Sequence, residues 1–157
     1  MTYKSLSSGP TRVAALLSGA VDLINDAPPE DIPRFKADPK IEVHIAPSNN
    51  VIRFQIDQTR TLSPRVFDND GKPLFPSPLL DQCVRHAMSL AIDRERISQR
   101  IMNGTSIPAG QFVPPGSHGH DPNLKPDPCD PEGAKQLLAT AGYPDGFKLT
   151  IHGTSDR

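Results

Sequence analysis

The sequence contains no tryptophan, and its aromatic share is only 5 % of 157 residues. A surface that binds sugars or nucleobases by stacking draws on more aromatic area than that. Neither sign of charge is in excess, the formal net charge being -1. With no basic surplus to neutralise phosphates, a nucleic-acid partner is disfavoured, and there is no acidic interaction tail. No run approaches the ~20 apolar residues that a membrane-spanning helix needs. Met1–Pro10 lacks the basic start and apolar run of an export signal, which taken alone reads as cytoplasmic. Cysteine is scarce, with Cys83 and Cys129 far apart and without metal-ligand spacing. Whether they pair is open; Cys83 also reads as a small buried side chain on a helix face.

Proline is what the sequence has in abundance, with 18 residues, most of them clustered at 28–39, 73–78, 108–115 and 122–131. Because proline fixes φ and removes a donor, these stretches are expected as ordered extended loops or helix starts. The apolar share of 36 % points to a compact core with many loops, and the length suits one domain.

Local patterns set the elements. Thr11–Ser18 reads as a short helix entered through Pro10, with Val13, Leu16 and Leu17 on one face and Gly19 as its stop. Ala20–Ile24 is a short apolar strand. Pro28–Ala37 opens like a helix, with prolines and acids first. Ile41–Ala46 and Val51–Asp57 alternate with period two around a Pro47–Asn50 turn, which predicts neighbouring strands. Residues 59–77 form a long loop. Ser77 is placed to cap a helix carrying Leu80, Val84, Ala87, Met88 and Ala91 inward, and Asp93 to cap a second helix through Asn103. After another long loop, Asp130–Pro131 opens a helix with Ala134, Leu137, Leu138 and Ala141 inward. Phe147–His152 alternates as a last strand. The order predicts an α/β (α+β) layer structure with a small mixed sheet and long proline-rich loops.

Chemistry-bearing groupings are weak. His118, His120, Asp121 and Cys129 match no zinc spacing and read as loop residues. Asp68, Asp70 and Asp81 lack the order of a calcium loop, and turn chemistry accounts for them. Gly104 and Gly110 make no phosphate cradle. Cys83 and His86 fit a core residue and its polar edge, and residues 94–100 a solvated charged face. The residues thus give no catalytic set, no metal site and no cofactor.

A resemblance goes further. Cys83–Asp93 with the following Arg-Glu-Arg-Ile, the Ile107–Pro115 loop, Asp121–Ala141, the Gly-Tyr-Pro-Asp-Gly-Phe turn at 142–147, and Arg12–Ile24 all stand in one order. Together they resemble the family 5 extracellular solute-binding proteins of bacterial ABC importers, the peptide, nickel and glutathione type. The resemblance implies one lobe of a type II periplasmic-binding-protein-like fold. It implies that residues 1–157 are a single truncated domain from the middle of a longer two-lobed protein, so the missing signal carries no weight. It implies a periplasmic or extracellular location, lipid-anchored or soluble, and partners in a small solute and a membrane permease. Closure of two lobes on the solute would then replace bond-breaking chemistry. A sensor or chaperone-like module reusing the fold, or a hydrolase, are the alternatives.

Candidate ligand contacts are Asn25 and Asp26, just beyond the Ala20–Ile24 segment, and Gln111 in the proline-rich loop. The plainer alternatives are a helix cap for Asp26 and a loop-bracing hydrogen bond for Gln111. Asp57–Thr59 is expected near a crossover toward the other lobe. Two departures from the family pattern, Cys129 and Gly133, touch packing; Gly133 is expected to weaken its helix by roughly 1 kcal/mol relative to alanine.

Overall fold

A computed structural model of the chain describes residues 1–48 and 50–153. These fall into two compact units, each assembled from two separate stretches: Met1–Asn49 with Arg94–Pro122, and Asn50–Asp93 with Asn123–Arg157.

In the first unit, helix α1 spans Gly9–Leu17, with Pro10 in its first turn where a missing N–H is harmless. Gly19, at φ 71, takes the left-handed conformation that ends it. A single 3-10 turn at Pro29–Asp31 leads into α2, Ile32–Ala37, and Pro33 falls within the first turn of α2 as the sequence requires. Val13, Ile32 and Phe35 are buried together, with Leu16, Leu17, Ile24, Ala27, Ile41 and Val43 packed around them. The helix expected over Asp93–Asn103 is instead a short α4, Arg94–Arg96, that widens into a π-helical turn at Ile97–Ile101. The amide of Met102 accordingly reaches back five residues to Ile97 O at 3.0 Å. The buried Ser98 hydroxyl donates to Ser106 O at 2.6 Å and folds the chain leaving the turn back onto it.

In the second unit, β1 (Val66–Phe67) pairs antiparallel with β2 (Lys148–Leu149), with Val66 opposite Leu149 and Phe67 opposite Lys148. The sheet is two-stranded and antiparallel where a small mixed sheet was expected. One of its strands lies inside the predicted loop, because Val66 is fully buried and anchors the pairing. Ser77 does not cap the following helix. A 3-10 turn at Pro78–Leu80 intervenes, and α3 (Gln82–Leu90) is capped by Asp81, whose carboxylate accepts from Cys83 N at 2.7 Å. Arg85 fastens that turn by donating to Leu79 O and Leu80 O at 3.0 and 2.8 Å. Helix α5, Pro131–Thr140, is capped by Asp130, which accepts from Gly133 N at 2.9 Å. Ala87, Leu90 and Ala134 bury the α3–α5 contact, and Asp130 N donates to Leu90 O at 2.9 Å. Ala87 and Ala134 are small side chains of the kind that let two helices approach closely, and Leu137 and Leu138 pack around them.

The strands expected at Ala20–Ile24, Ile41–Ala46 and Val51–Asp57 do not form among the described residues. A strand exists only through a neighbour's ladder, and none runs beside these segments. The alternation still acts at 41–44: Ile41 and Val43 pack on the core, while His44 and Glu42 face outward and pair at 3.1 Å. The expected turn Pro47–Asn50 includes Asn49, which lies outside the described residues. Cys83 and Cys129 are free thiols.

Candidate functional site

The first unit builds one corner with unusual care. Ile24 and Ala27 both pack on the core cluster, so the two residues between them are turned out, and Asn25 and Asp26 are exposed. Asp26 adopts φ 50, a left-handed conformation that L-residues other than asparagine and aspartate rarely take. Three separate contacts pin the chain from there to Pro29. The Arg12 guanidinium on α1 donates to Asp26 O at 3.0 Å and, through its other terminal nitrogen, to Leu6 O and Ser7 O at 3.0 and 3.2 Å. Pro28 sits against Gly9 so closely that a Cβ there would lie 3.2 Å from the proline ring. Asn103, also left-handed at φ 47, donates its side-chain amide to Pro29 O at 2.8 Å. The only two non-glycine residues with positive φ among those described therefore converge on residues 26–29.

This arrangement decides the capping question. The N-cap position of the next helical turn is Pro28 and that of α2 is Asp31, with no side-chain bond at either, so Asp26 is not the cap. Gln111 is a brace: its amide donates to Asp121 O and accepts from Asp121 N at 3.1 Å, closing the proline-rich loop on itself. His120 Nδ1 meets Val113 O at 2.9 Å inside the same loop, and His118 is exposed. The structure joins the Asn25–Asp26 corner to the start of that loop through Asn103, and shows no contact between the corner and Gln111. Arg12 and Asn103 are the residues that sequence reasoning left out. Their signals were present: Arg12 opens one of the family-like blocks, and Asn103 stands before a helix-ending glycine.

The second unit has an open recess of about 250 Å³ lined by residues 68–70, Leu74 and residues 142–146. Its polar groups mostly fasten two turns together. Asp68 accepts from the amides of Asp70 and Lys72 at 2.9 and 2.8 Å. Asn69 donates to Asp145 O at 3.2 Å and receives Lys148 Nζ on its own carbonyl at 2.9 Å. Tyr143 and Phe147 meet edge to face with ring centroids 5.4 Å apart. No three histidine, cysteine or acidic side chains among the described residues are grouped to hold a metal ion.

Among the described residues, Asp57 is the one titratable group held clearly away from its ordinary range. Its carboxylate accepts from the amides of Thr59 and Arg60 at 3.0 and 3.3 Å, which lowers its pKa, with the Arg60 guanidinium at 3.4 Å adding to the effect.

The sequence blocks described above, carried on helices and a small antiparallel sheet, point to a class of binding proteins. The family model for bacterial extracellular solute-binding proteins, family 5 Middle, matches residues 1–156, and the chain belongs to that family. Heme-binding protein A of Haemophilus influenzae is 32% identical over 138 residues, covering 88% of this chain and 22% of that protein. Glutathione-binding protein GsiB of Escherichia coli K12 is 30% identical over 151 residues, covering 96% of this chain and 26% of that protein. Among solved structures, the ABC transporter-associated periplasmic binding protein DppA from Helicobacter pylori, in complex with the peptide STSA, superposes with a TM-score of 0.58. Its identity is 26%, over 91% of this chain and 25% of that one. The chain thus spans about a quarter of the length of these relatives.

Proposed function

We propose that these residues are the middle portion of a two-lobed solute-binding protein, which captures a small solute outside the cytoplasmic membrane and hands it to an ABC permease. The observation that carries this reading is the family match across residues 1–156. Two of the three relatives described bind glutathione or a short peptide by name, so a peptide-like solute is the first choice of ligand class. The role is capture without bond-breaking. A solute that contacts both lobes favours the closed form by its differential affinity, and closure is the signal to the permease.

Within this chain, the solute-facing residues are Asn25 and Asp26. Both side chains are exposed, neither has a hydrogen-bond partner among the described residues, and the backbone beneath them is fixed from three sides. Gln111 contributes indirectly, by holding the shape of the loop.

A thermal-shift comparison tests the reading. The two-lobed protein and the 157-residue chain are each titrated with glutathione, the tetrapeptide Ser-Thr-Ser-Ala, heme and a nickel complex. A native-state ligand at a hundredfold excess over its Kd stabilises by about 2.7 kcal/mol. The expected result is a shift for the two-lobed protein with one of these classes and none for the 157-residue chain, which offers only part of a cleft. Absence of a shift for every class in the two-lobed protein, or hydrolysis of the peptides by it, would sink the proposal.

A further inference from the structure

From the way three contacts converge on one exposed corner, we infer that Arg12 is a positioning residue for solute capture: its guanidinium holds the backbone at Asp26 in the left-handed conformation that presents Asn25 and Asp26. This rests on the reading of that corner as solute-facing, and it adds the residue that sets the corner's geometry.

Arg12 has no acidic partner among the described residues. Its recorded hydrogen bonds go to main-chain carbonyls, at Leu6, Ser7 and Asp26, and its Nε is buried without a partner. An arginine that serves only as a surface charge stays in water or meets a carboxylate. One that bonds several carbonyls from different stretches is fixing backbone, since its planar fork holds the acceptors at set angles. Two of those stretches, residues 6–7 and residue 26, lie on either side of α1 in sequence, so the side chain works as a strap across the helix start. Asn103 completes the strap from the other side through Pro29 O.

The residue being held is also informative. Aspartate tolerates the left-handed conformation at Asp26, φ 50, and the contacts around it fix that one choice. Here the over-determination is visible: a packed core residue on each side, a tight proline against Gly9, and two side-chain bonds to consecutive parts of the backbone. Rigidity of this kind lowers the ordering that binding must otherwise impose.

The test uses the two-lobed protein, with glutathione and Ser-Thr-Ser-Ala as probes, and compares Arg12→Met, Arg12→Lys, Asn103→Asp and Asn25→Ala. Arg12→Met keeps the packing of the stem and removes every donor; Asn103→Asp keeps a residue that tolerates the left-handed conformation and removes the donor to Pro29 O. Affinity is measured calorimetrically, and hydrogen exchange of the peptide covering residues 23–28 by mass spectrometry. The expected result is faster exchange in that peptide for Arg12→Met and Asn103→Asp, with affinity weaker by about tenfold, the worth of one well-placed hydrogen bond. Arg12→Lys, which keeps one donor, falls between the wild type and Arg12→Met. Asn25→Ala loses affinity with exchange unchanged. Exchange that stays at the wild-type rate in Arg12→Met overturns the strap. Affinity that survives in both strap variants, while Asn25→Ala loses it, overturns the positioning role and leaves the solute-facing corner intact. Affinity that survives in Asn25→Ala, or a wild type that binds neither probe, sinks the reading beneath it. Should Arg12→Met fail to fold, Asn103→Asp carries the same comparison.

Discussion

A glycine inside a helix ordinarily costs about 1 kcal/mol relative to alanine, so Gly133→Ala in α5 looks like an easy gain. The geometry argues otherwise. A Cβ on Gly133 would collide with Oδ2 of Asp130 and lie 2.8 Å from its Cγ and 3.3 Å from Oδ1. That carboxylate is the helix cap, accepting from Gly133 N itself. To admit the methyl group, Asp130 must rotate away and release the bond, and a lost aspartate cap costs about 1 kcal/mol. Gly133→Ala alone is therefore expected to change stability by less than about 0.5 kcal/mol, the two effects offsetting each other. Asp130→Ala alone is expected to destabilise by about 1 kcal/mol. Once the cap is gone the methyl group costs nothing, so Gly133→Ala introduced into the Asp130→Ala background restores about 1 kcal/mol. The double mutant then matches the wild type, and the two sites show a coupling of about 1 kcal/mol. Urea unfolding of the four proteins, read by far-ultraviolet circular dichroism with a common slope, measures all the terms. Additive behaviour, with Gly133→Ala stabilising by its full helix propensity in the presence of Asp130, would refute the reasoning. It would show that the carboxylate caps equally well from another rotamer.

Ser77→Ala is expected to be neutral or to stabilise by up to about 1 kcal/mol, because the hydroxyl is buried with no partner among the described residues and its desolvation goes uncompensated; a loss beyond that in urea unfolding would count against it. Cys129 is exposed and Cys83 half-buried, so an aromatic disulfide reagent is expected to titrate two thiols in the native chain, Cys129 first, with no rise on prior reduction. Because the Asp57 pKa is depressed, the turn it holds is at full strength above the ordinary aspartate value and loosens as pH falls through the lowered folded value. The Thr59 amide resonance should follow that titration with a midpoint below that of a free aspartate, and a midpoint at or above it would contradict the bond.

Helices were legible where the signal is local. Pro10 and Gly19 frame α1, and Asp130, Pro131 and Gly142 frame α5, because caps and breakers act within a turn of the residues that carry them. Cap identity at α3 was misread between Ser77 and Asp81, since a proline after serine suits a 3-10 turn as well as an α-helix. Strands were far less legible: Ile41–Ala46 has the alternation and packs Ile41 and Val43 on the core, yet it leaves Ile45 exposed and forms no ladder, because pairing depends on a neighbour that the alternation does not specify. Val66, by contrast, sits in a stretch without periodicity and is paired through its burial. At the candidate site, Asn25 and Asp26 are proposed from their place after an apolar segment. Arg12 acts on main-chain carbonyls, which every residue possesses, so its partners leave no mark in the sequence. The left-handed turn at Asp26 is equally silent, aspartate being common in many conformations.

Each compact unit is assembled from two stretches that are not adjacent in sequence, so the chain crosses between units after Asn49, after Asp93 and after Pro122. This interleaving has a consequence for how the protein is made and how it breaks. Neither unit is complete when its first stretch leaves the ribosome: α1 and α2 must wait for Arg94 and beyond before Asn103 can reach Pro29, and β1 waits for Lys148. Contacts of such long sequence separation pay loop closure before they are rewarded, which slows folding and lengthens the time that apolar surface stands open. The same threading protects the finished molecule. A single proteolytic nick at any one crossing leaves the other two in place, so the two units stay covalently linked until all three crossings are cut.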